Sequence, residues 1–379
     1  MGALDHLRVL ELGNNVMAPF CARLFADMGA EVIKVETPDG DPARARGPFD
    51  ENGMSGFFQY LNAGKSSVTV DFDDQDGRRR FDELLTGADV FIENLPIAQR
   101  QDWNLTQEAL VERFPHLVVV SLSAYGRSGP WKDREGTDIT IQATSGLSAR
   151  LGIMGDLPLR MPFDQAEYQA SENGVAAALC ALIERETSGL GQFIDISATR
   201  VLAYQAGAMA LVSAKMGGQW VRAGKINKSG IYPSGFYECK DGFLAIALHH
   251  GRLWKQFIKI MGDPEWSQLE NQQDAIYLGR AEPGTEPAHI HFRAWLMEHT
   301  RTELLELTKP TEIILGVVNH IDEVCASEQF AFRDFWSEVS LGDKEARFPK
   351  TGFLLSETPT TIKSGAPKQA EDIKSLADN

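Results

Sequence analysis

The sequence predicts an α/β protein with a parallel sheet in a large domain and a smaller α+β domain behind it. An apolar strand at residues 7–12, a helical pattern at 17–28 and a strand at 31–36 form a β-α-β unit, which begins a parallel sheet. Residues 117–122 are almost continuously apolar, as in a strand buried on both faces. A Gly- and Lys-rich stretch beginning at 217 then separates this pattern from a predicted hairpin at 235–247.

The remaining elements follow the same division. In the first part we predict strands at 67–71, 89–94 and 193–197 and helices at 77–85, 107–114, 137–151 and 198–216, the third of these helices with a break at Gly146-Leu147. In the second part we predict helices at 253–261, 288–298 and 301–307 and a strand at 313–319. The resulting domains are a large domain at 1–216, a linker at 217–229, a small α+β domain at 230–325 and a C-terminal segment at 326–379. That segment is too short for a domain and too apolar to be disordered, so we expect it to return to the large domain.

Composition excludes several classes of protein. The net charge of −16 over 379 residues argues against nucleic-acid binding, which needs a basic surface. No apolar run approaches the ~18 residues of a membrane span, and the N-terminus lacks the apolar core of a signal peptide, so we expect a cytoplasmic protein with no membrane partner. Four scattered cysteines without a CxxC motif indicate neither zinc nor disulfides.

Two further kinds of site are also not indicated. The glycine fingerprint GxGxxG is absent after the first strand, so we do not expect a dinucleotide cofactor. His289 and His291 have no nearby carboxylate that would complete a ligand set, and we expect no metal.

Three carboxylates mark the most informative stretch. Asp164, Glu167 and Glu172 lie where an acidic loop meets a helix rich in small residues. The partial positive charge at a helix N-terminus holds a carboxylate ionised and in place, which suits a nucleophile. It suits an ordinary N-cap equally well, and the residues alone do not decide between the two.

Three basic residues lie in loops beside predicted strands. Arg44 and Arg46 are in a turn-rich loop at the expected carboxyl end of the second strand, where α/β proteins bind their ligands, and Lys65 is in a Gly-containing loop that precedes the strand at 67–71. They are either phosphate contacts or solvent-exposed surface charges.

Short motifs that run in order along the first 205 residues carry a family resemblance. The chain resembles the family III CoA-transferases (the CaiB/BaiF family), and the resemblance weakens after residue 230. The motifs lie at residues 9–12, 18–36, 40–48, 62–68, 89–94, 123–130, 138–147 and 188–197.

The resemblance implies a Rossmann-like large domain, an interlocked dimer and covalent catalysis by a carboxylate. Coenzyme A and acyl-CoA would be substrates, with no tightly bound cofactor, and the partner chain would be a second copy or a paralogue. The CoA-binding residues that it implies are Val16, Arg44, Arg46, Lys65, Asn94 and Arg100.

The family nucleophile is an Asp that lies fifteen residues before Leu182 in this numbering, and that position is Glu167 here. Three alternatives follow: Glu167 is the nucleophile, Asp164 serves after a loop insertion, or the transferase activity is altered or lost. Racemase chemistry is not expected, because Thr137 stands where the racemase branch has a His. A non-catalytic CoA-binding subunit of a heteromer and a lyase or hydrolase acting on acyl-CoA are the other functions considered.

Overall fold

A computed structural model describes residues 2–153, 155–217, 230–341 and 344–369, with the side chains of 206–213 left out. Its main feature is a six-stranded, fully parallel sheet with the strand order β3-β2-β1-β4-β5-β6. This arrangement confirms the predicted α/β fold with a parallel sheet. The strands are β1 (Arg8–Leu12), β2 (Glu31–Glu36), β3 (Ser66–Thr69), β4 (Val90–Glu93), β5 (Val118–Ser123) and β6 (Phe193–Ser197).

Helices cover both faces of this sheet, which explains why its central strands bury apolar residues on both faces. Val9 and Val120 belong to a cluster on the face that α1 and α7 cover, whereas Leu10 and Val119 belong to the cluster on the opposite face. The helices of this part are α1 (Met17–Asp27), α2 (Gly56–Asn62), α3 (Gln75–Thr86), α4 (Ile97–Asp102), α5 (Gln107–Arg113), α6 (Asp138–Thr144), α7 (Gln165–Ser188) and α8 (Ala198–Lys215).

A second compact unit has its own antiparallel sheet and its own aromatic core around Trp254, Phe257 and Phe292. Its hairpin turns where the sequence predicts it. The elements are β7 (Ser234–Cys239), β8 (Gly242–Ala247), α9 (Gly251–Ile260), α10 (Ala275–Arg280), α11 (Pro287–Glu298), α12 (Arg301–Thr308), β9 (Leu315–Val317) and α13 (Ile321–Cys325).

The C-terminal segment forms α14 (Glu328–Phe332) and an antiparallel hairpin, β10 (Trp336–Ser340) and β11 (Glu345–Pro349), which the sequence pattern does not predict. Beyond the hairpin the chain runs along the end of α1, where the Thr361 amide donates to the Asp27 carbonyl at 2.9 Å. Contacts group residues 1–148, 160–218 and 328–379 as the larger unit and 149–159 and 219–327 as the smaller one.

One predicted helix is shorter than expected. The pattern predicts a helix over 137–151 with a break at Gly146 and Leu147, but α6 ends at Thr144, before that break, and is followed by Ser145 and by Gly146 with a φ of +86°. Glycine adopts this left-handed conformation without steric cost, and the conformation ends a helix. The predicted linker, apart from Gly217, and residues 370–379 lie outside the described residues. No described helix is both long and apolar enough to cross a membrane.

Candidate active site

The larger unit has a cavity of about 780 Å³ at the carboxyl ends of β1, β4 and β5. The strand order reverses direction between β1 and β4, and this switch point is where open α/β sheets bind ligands. The cavity is lined by the loops after these three strands and by the beginnings of α6 and α7. The lining residues include Asn14, Asn15, Arg46, Asn94, Ser123, Arg127, Asp138, Arg160, Asp164 and Glu167.

Asn94 joins the loops that follow β1 and β4. Its Nδ2 donates to the Asn14 carbonyl and its Oδ1 accepts from the Asn14 amide, both at 2.9 Å. The loops approach so closely that a Cβ on Gly13 would lie 2.6 Å from the Asn94 Oδ1, so only glycine fits there. This pairing fixes the shape of the cavity at the switch point.

A buried network of charged side chains holds the loop that follows β1, residues 13–15, in place. Lys34 Nζ lies 2.9 Å from Glu11 Oε1 and 2.8 Å from Asp41 Oδ2, and it donates to the Gly13 carbonyl at 2.9 Å. Asp41 Oδ1 accepts from the Asn15 amide at 3.2 Å. The Glu11 and Asp41 charges raise the pKa of Lys34 despite its burial, which acts in the opposite direction. The network therefore holds residues 13–15 in place.

The start of α7 is capped by a residue from another helix. Asp138 Oδ1, at the start of α6, accepts from the Ala166 amide at 2.8 Å, and its Oδ2 accepts from Gln142 Nε2 at 2.6 Å. Gln142 also holds Met161 of the preceding loop, donating to its carbonyl at 3.1 Å and accepting from its amide at 2.8 Å. Asp138 and Gln142 thus position the loop and the first turn of α7 together.

Asp164 occupies the N-cap position of α7, but its carboxylate makes no capping bond within the described part of the chain. Instead, its Oδ2 lies 2.6 Å from Nη2 of Arg46, whose guanidinium stacks 3.9 Å above the ring of Phe57. Asp164 and its neighbour Phe163 both have left-handed φ values, +52° and +62°. Two consecutive non-glycine residues in this conformation store roughly 1–3 kcal/mol each, so the Arg46 contact holds a strained segment.

Glu167 lies in the first turn of α7 and is mostly buried. Among the described residues, no hydrogen bond or ion pair engages its carboxylate. Burial raises its pKa to about 7, with further increases from the Asp164 and Asp138 charges and an opposing effect of Arg46. A carboxylate with a raised pKa is more basic and is therefore a better nucleophile. The carboxylate of Glu167 is also available to react, because no group is bonded to it among the described residues.

We expect Glu167→Gln to stabilise the protein by about 1–3 kcal/mol at pH 8 and by much less at pH 4. The folded-state pKa of about 7 lies above the ordinary value of 4.5, so ionisation opposes folding. That cost is absent below about pH 4.5 and complete above about pH 7. Urea unfolding at both pH values measures it, with Glu186→Gln at the exposed far end of α7 as the control. Equal effects of Glu167→Gln at the two pH values would contradict the raised pKa of Glu167.

The cavity brings together four of the residues that the sequence singles out: Glu167, Asp164, Arg46 and Asn94. Val16 lies buried between two lining residues, Asn15 and Met17. Glu172, in contrast, lines a separate cavity of about 620 Å³.

The structure places the other three candidate CoA contacts on internal acidic partners. Lys65 is buried, with its Nζ 2.9 Å from Glu11 Oε2 and donating to Pro19 and Asn62. Arg44 pairs with both oxygens of Glu36 at 2.7–2.8 Å. Arg100 is buried 3.2 Å from Glu93.

Sequence reasoning did not assign roles to Asp138, Gln142, Arg127 or Arg160. Asp138 and Gln142 belong to a matched motif, and their i, i+4 spacing puts both on one face of a helix, which is the signal that was available. Arg127 donates to Glu93 Oε2 and to the Leu122 carbonyl, both at 2.9 Å, and so links the ends of β4 and β5.

Comparisons with known proteins agree with this geometry. The sequence matches the family model of CoA-transferase family III over residues 4–373. It is 29% identical to the BbsE subunit of succinyl-CoA:(R)-benzylsuccinate CoA-transferase from Thauera aromatica, over 98% of this chain and 93% of that protein. It is also 29% identical to succinyl-CoA–D-citramalate CoA-transferase from Chloroflexus aurantiacus, over 87% and 82%. The crystal structure of a CAIB/BAIF family protein from Brucella suis is 27% identical, with a TM-score of 0.88 over 99% of this chain and 98% of that one.

Proposed function

Because the chain belongs to CoA-transferase family III and is an enzyme of that type, we propose that it moves CoA from an acyl-CoA to a carboxylic acid with Glu167 as the covalent nucleophile. The observation that carries the proposal is the state of Glu167. It lines the cavity at the switch point, its pKa is raised to about 7, and its carboxylate has no bonding partner among the described residues.

The reaction consists of acyl transfers that balance without any other reagent. A Glu167 oxygen attacks the thioester carbonyl carbon, the C–S bond breaks, and CoA leaves as a thiolate while the acyl group forms an anhydride with Glu167. The thiolate attacks the Glu167 carbonyl carbon, giving an enzyme thioester and releasing the donor acid as a carboxylate. The acceptor carboxylate attacks this thioester, and the same steps in reverse place CoA on the acceptor and free Glu167.

Asp164 is the alternative nucleophile, and its environment favours a different role. Its carboxylate is bonded to Arg46 at 2.6 Å, and a carboxylate that accepts a charge-assisted hydrogen bond is a weaker nucleophile. Glu167 has the longer side chain and no competing partner. Since an anhydride hydrolyses readily, burial of Glu167 also protects the intermediate from water.

CoA and acyl-CoA enter this proposal as substrates and not as tightly bound groups. We propose that CoA contacts Asn94 and the segment around Val16, between Asn15 and Met17, since both lie at the switch point. We assign Lys65, Arg44 and Arg100 to the fold, because their charged ends already have acidic partners.

Succinyl-CoA is our proposed donor, because both relatives above are succinyl-CoA-dependent CoA-transferases by name. The assembly that we propose is an interlocked dimer. One of these relatives is a named subunit, so a heteromer with a paralogue, in which this chain binds CoA without catalysis, is the second candidate. We also propose a cytoplasmic location, which is the one expected from the sequence.

Trapping the covalent intermediate tests the function. We expect that incubation with succinyl-CoA followed by hydroxylamine leaves a hydroxamate on Glu167, identified by peptide mass spectrometry. A hydroxamate on Asp164 instead would move the nucleophile. Binding of CoA without any adduct from succinyl-, acetyl- or butanoyl-CoA would contradict catalysis by this chain and favour the non-catalytic subunit.

A further inference from the structure

We infer that Arg46 selects dicarboxylic substrates by binding the carboxylate far from the reacting carbonyl, and that Asp164 takes the place of that carboxylate in the empty site. This inference rests on the proposed function and specifies its substrate class. The acyl groups concerned are those that end in a second carboxylate, of which succinyl is the simplest example.

Arg46 has unused hydrogen-bonding capacity. Among the described residues, the bond from Nη2 to Asp164 is the one hydrogen bond of its side chain, which is 45% exposed. Stacking on Phe57 at 3.9 Å fixes the plane of the guanidinium. A planar guanidinium with free N–H groups binds a carboxylate through two parallel hydrogen bonds.

Arg44, two residues earlier, shows what a structural arginine looks like in the same loop. It stacks on Phe58, also at 3.9 Å, but both oxygens of Glu36 and the carbonyl of Pro367 accept from its guanidinium. Arg44 lines a different cavity, of about 910 Å³, whereas Arg46 lines the one that contains Glu167. The two residues therefore form a matched pair in which Arg46 is the one that shares a cavity with Glu167.

Arg46 and the proposed nucleophile line the same cavity. The Asp164 carboxylate to which Arg46 is bonded lies at the start of the helix whose first turn carries Glu167, and the charge of Arg46 opposes the rise in the Glu167 pKa. A substrate with carboxyl groups at both ends can therefore present one to Glu167 and the other to Arg46.

Exchange of Asp164 for a substrate carboxylate is favoured by the backbone. Phe163 and Asp164 are both held in left-handed conformations, so freeing Asp164 releases strain and offsets part of the lost ion pair. The substrate carboxylate restores the partner of Arg46. An acyl group without a second carboxylate neither frees Asp164 nor gives Arg46 a new partner, so Arg46 stays bonded to Asp164.

Isotope exchange tests the inference without knowledge of the natural acceptor. Labelled succinate is exchanged into succinyl-CoA, and labelled butanoate into butanoyl-CoA, by the wild type, Arg46→Gln, Arg46→Lys and Arg44→Gln. We expect Arg46→Gln to lower the succinyl-to-butanoyl ratio of kcat/KM roughly 10- to 100-fold, the range for charge-assisted hydrogen bonds. Arg46→Lys should recover part of the ratio, and Arg44→Gln should leave it within about threefold. Thermal unfolding curves establish that each variant is folded.

The outcomes separate this inference from the proposed function. An unchanged ratio in Arg46→Gln, or an equal fall in Arg44→Gln, overturns the role of Arg46 while the transferase assignment stands. If the wild type exchanges neither acid, the proposed function fails, and the inference fails with it. If the wild type exchanges succinate alone, the far carboxylate is required, and a fall in succinate exchange confined to Arg46→Gln supports the inference.

Discussion

Replacing Glu167 by Gln is expected to lower the rate of succinate exchange into succinyl-CoA by at least about 10³-fold, because an amide cannot form the anhydride. The substitution keeps the size of the side chain. No hydrogen bond to the carboxylate is lost among the described residues, so the geometry of the cavity should persist. The expected loss is therefore one of kcat in a folded protein, which circular dichroism and unfolding measurements verify.

Asp164→Asn is the matched variant, since it removes the other carboxylate of the same helix start. It weakens the Arg46 contact but leaves the Asp138 cap on α7 intact, so we expect a smaller loss than in Glu167→Gln. A large loss in Asp164→Asn combined with a small one in Glu167→Gln would reverse the assignment. The nucleophile that we propose attacks in its ionised form, so wild-type activity should rise with pH through the Glu167 pKa of about 7 and level off above it.

The largest loss of stability is expected from Lys34→Met, at about 3–5 kcal/mol. Lys34 is buried between Glu11 and Asp41. Its removal leaves the buried Asp41 carboxylate without an ion-pair partner among the described residues. The Gly13 carbonyl loses a donor at the same time. Urea unfolding measures the change, and CoA affinity should fall with it because the supported loop lines the cavity.

Arg8→Met is the control for this prediction. Arg8 pairs with Glu31 at the opposite end of the same two strands, and both side chains are partly exposed. Pairs of this kind contribute less than about 1 kcal/mol, so the two substitutions should differ severalfold. Similar losses in both variants would show that burial of the Lys34 network adds nothing to the fold.

The sheet could be predicted from the sequence because its strands have recognisable patterns of apolar residues within short stretches of chain. Residues 118–122 are buried on both faces and read as a continuous apolar run, and the β-α-β unit around α1 has clear periodicity. The hairpin β10–β11 was not predicted. Its strands alternate weakly between buried and exposed residues. Val339 and Phe348 are buried in a small cluster with Ala63, and Ala346 packs against this cluster while partly exposed.

The candidate site was predictable as a region but not as a set of contacts. Glu167 follows from its position in a family pattern, whereas its environment depends on Asp138, which reaches the start of α7 across 28 residues of chain. Lys65 illustrates the same limit. Its Gly-containing loop resembles an anion site, and nothing near it in sequence reveals that Glu11, 54 residues earlier, holds its amine.

The cap that Asp138 provides has a consequence for the speed of turnover. Asp164 occupies the N-cap position of α7. If its side chain also capped the helix, every departure of Asp164 from Arg46 would fray the start of α7. With the Ala166 amide held from α6, Asp164 is released from that duty and the helix stays intact while the loop rearranges. Loop motions take nanoseconds to microseconds, whereas local unfolding extends to seconds. Substrate entry past Asp164 should therefore be far faster than the typical enzymatic cycle of about 0.1 s.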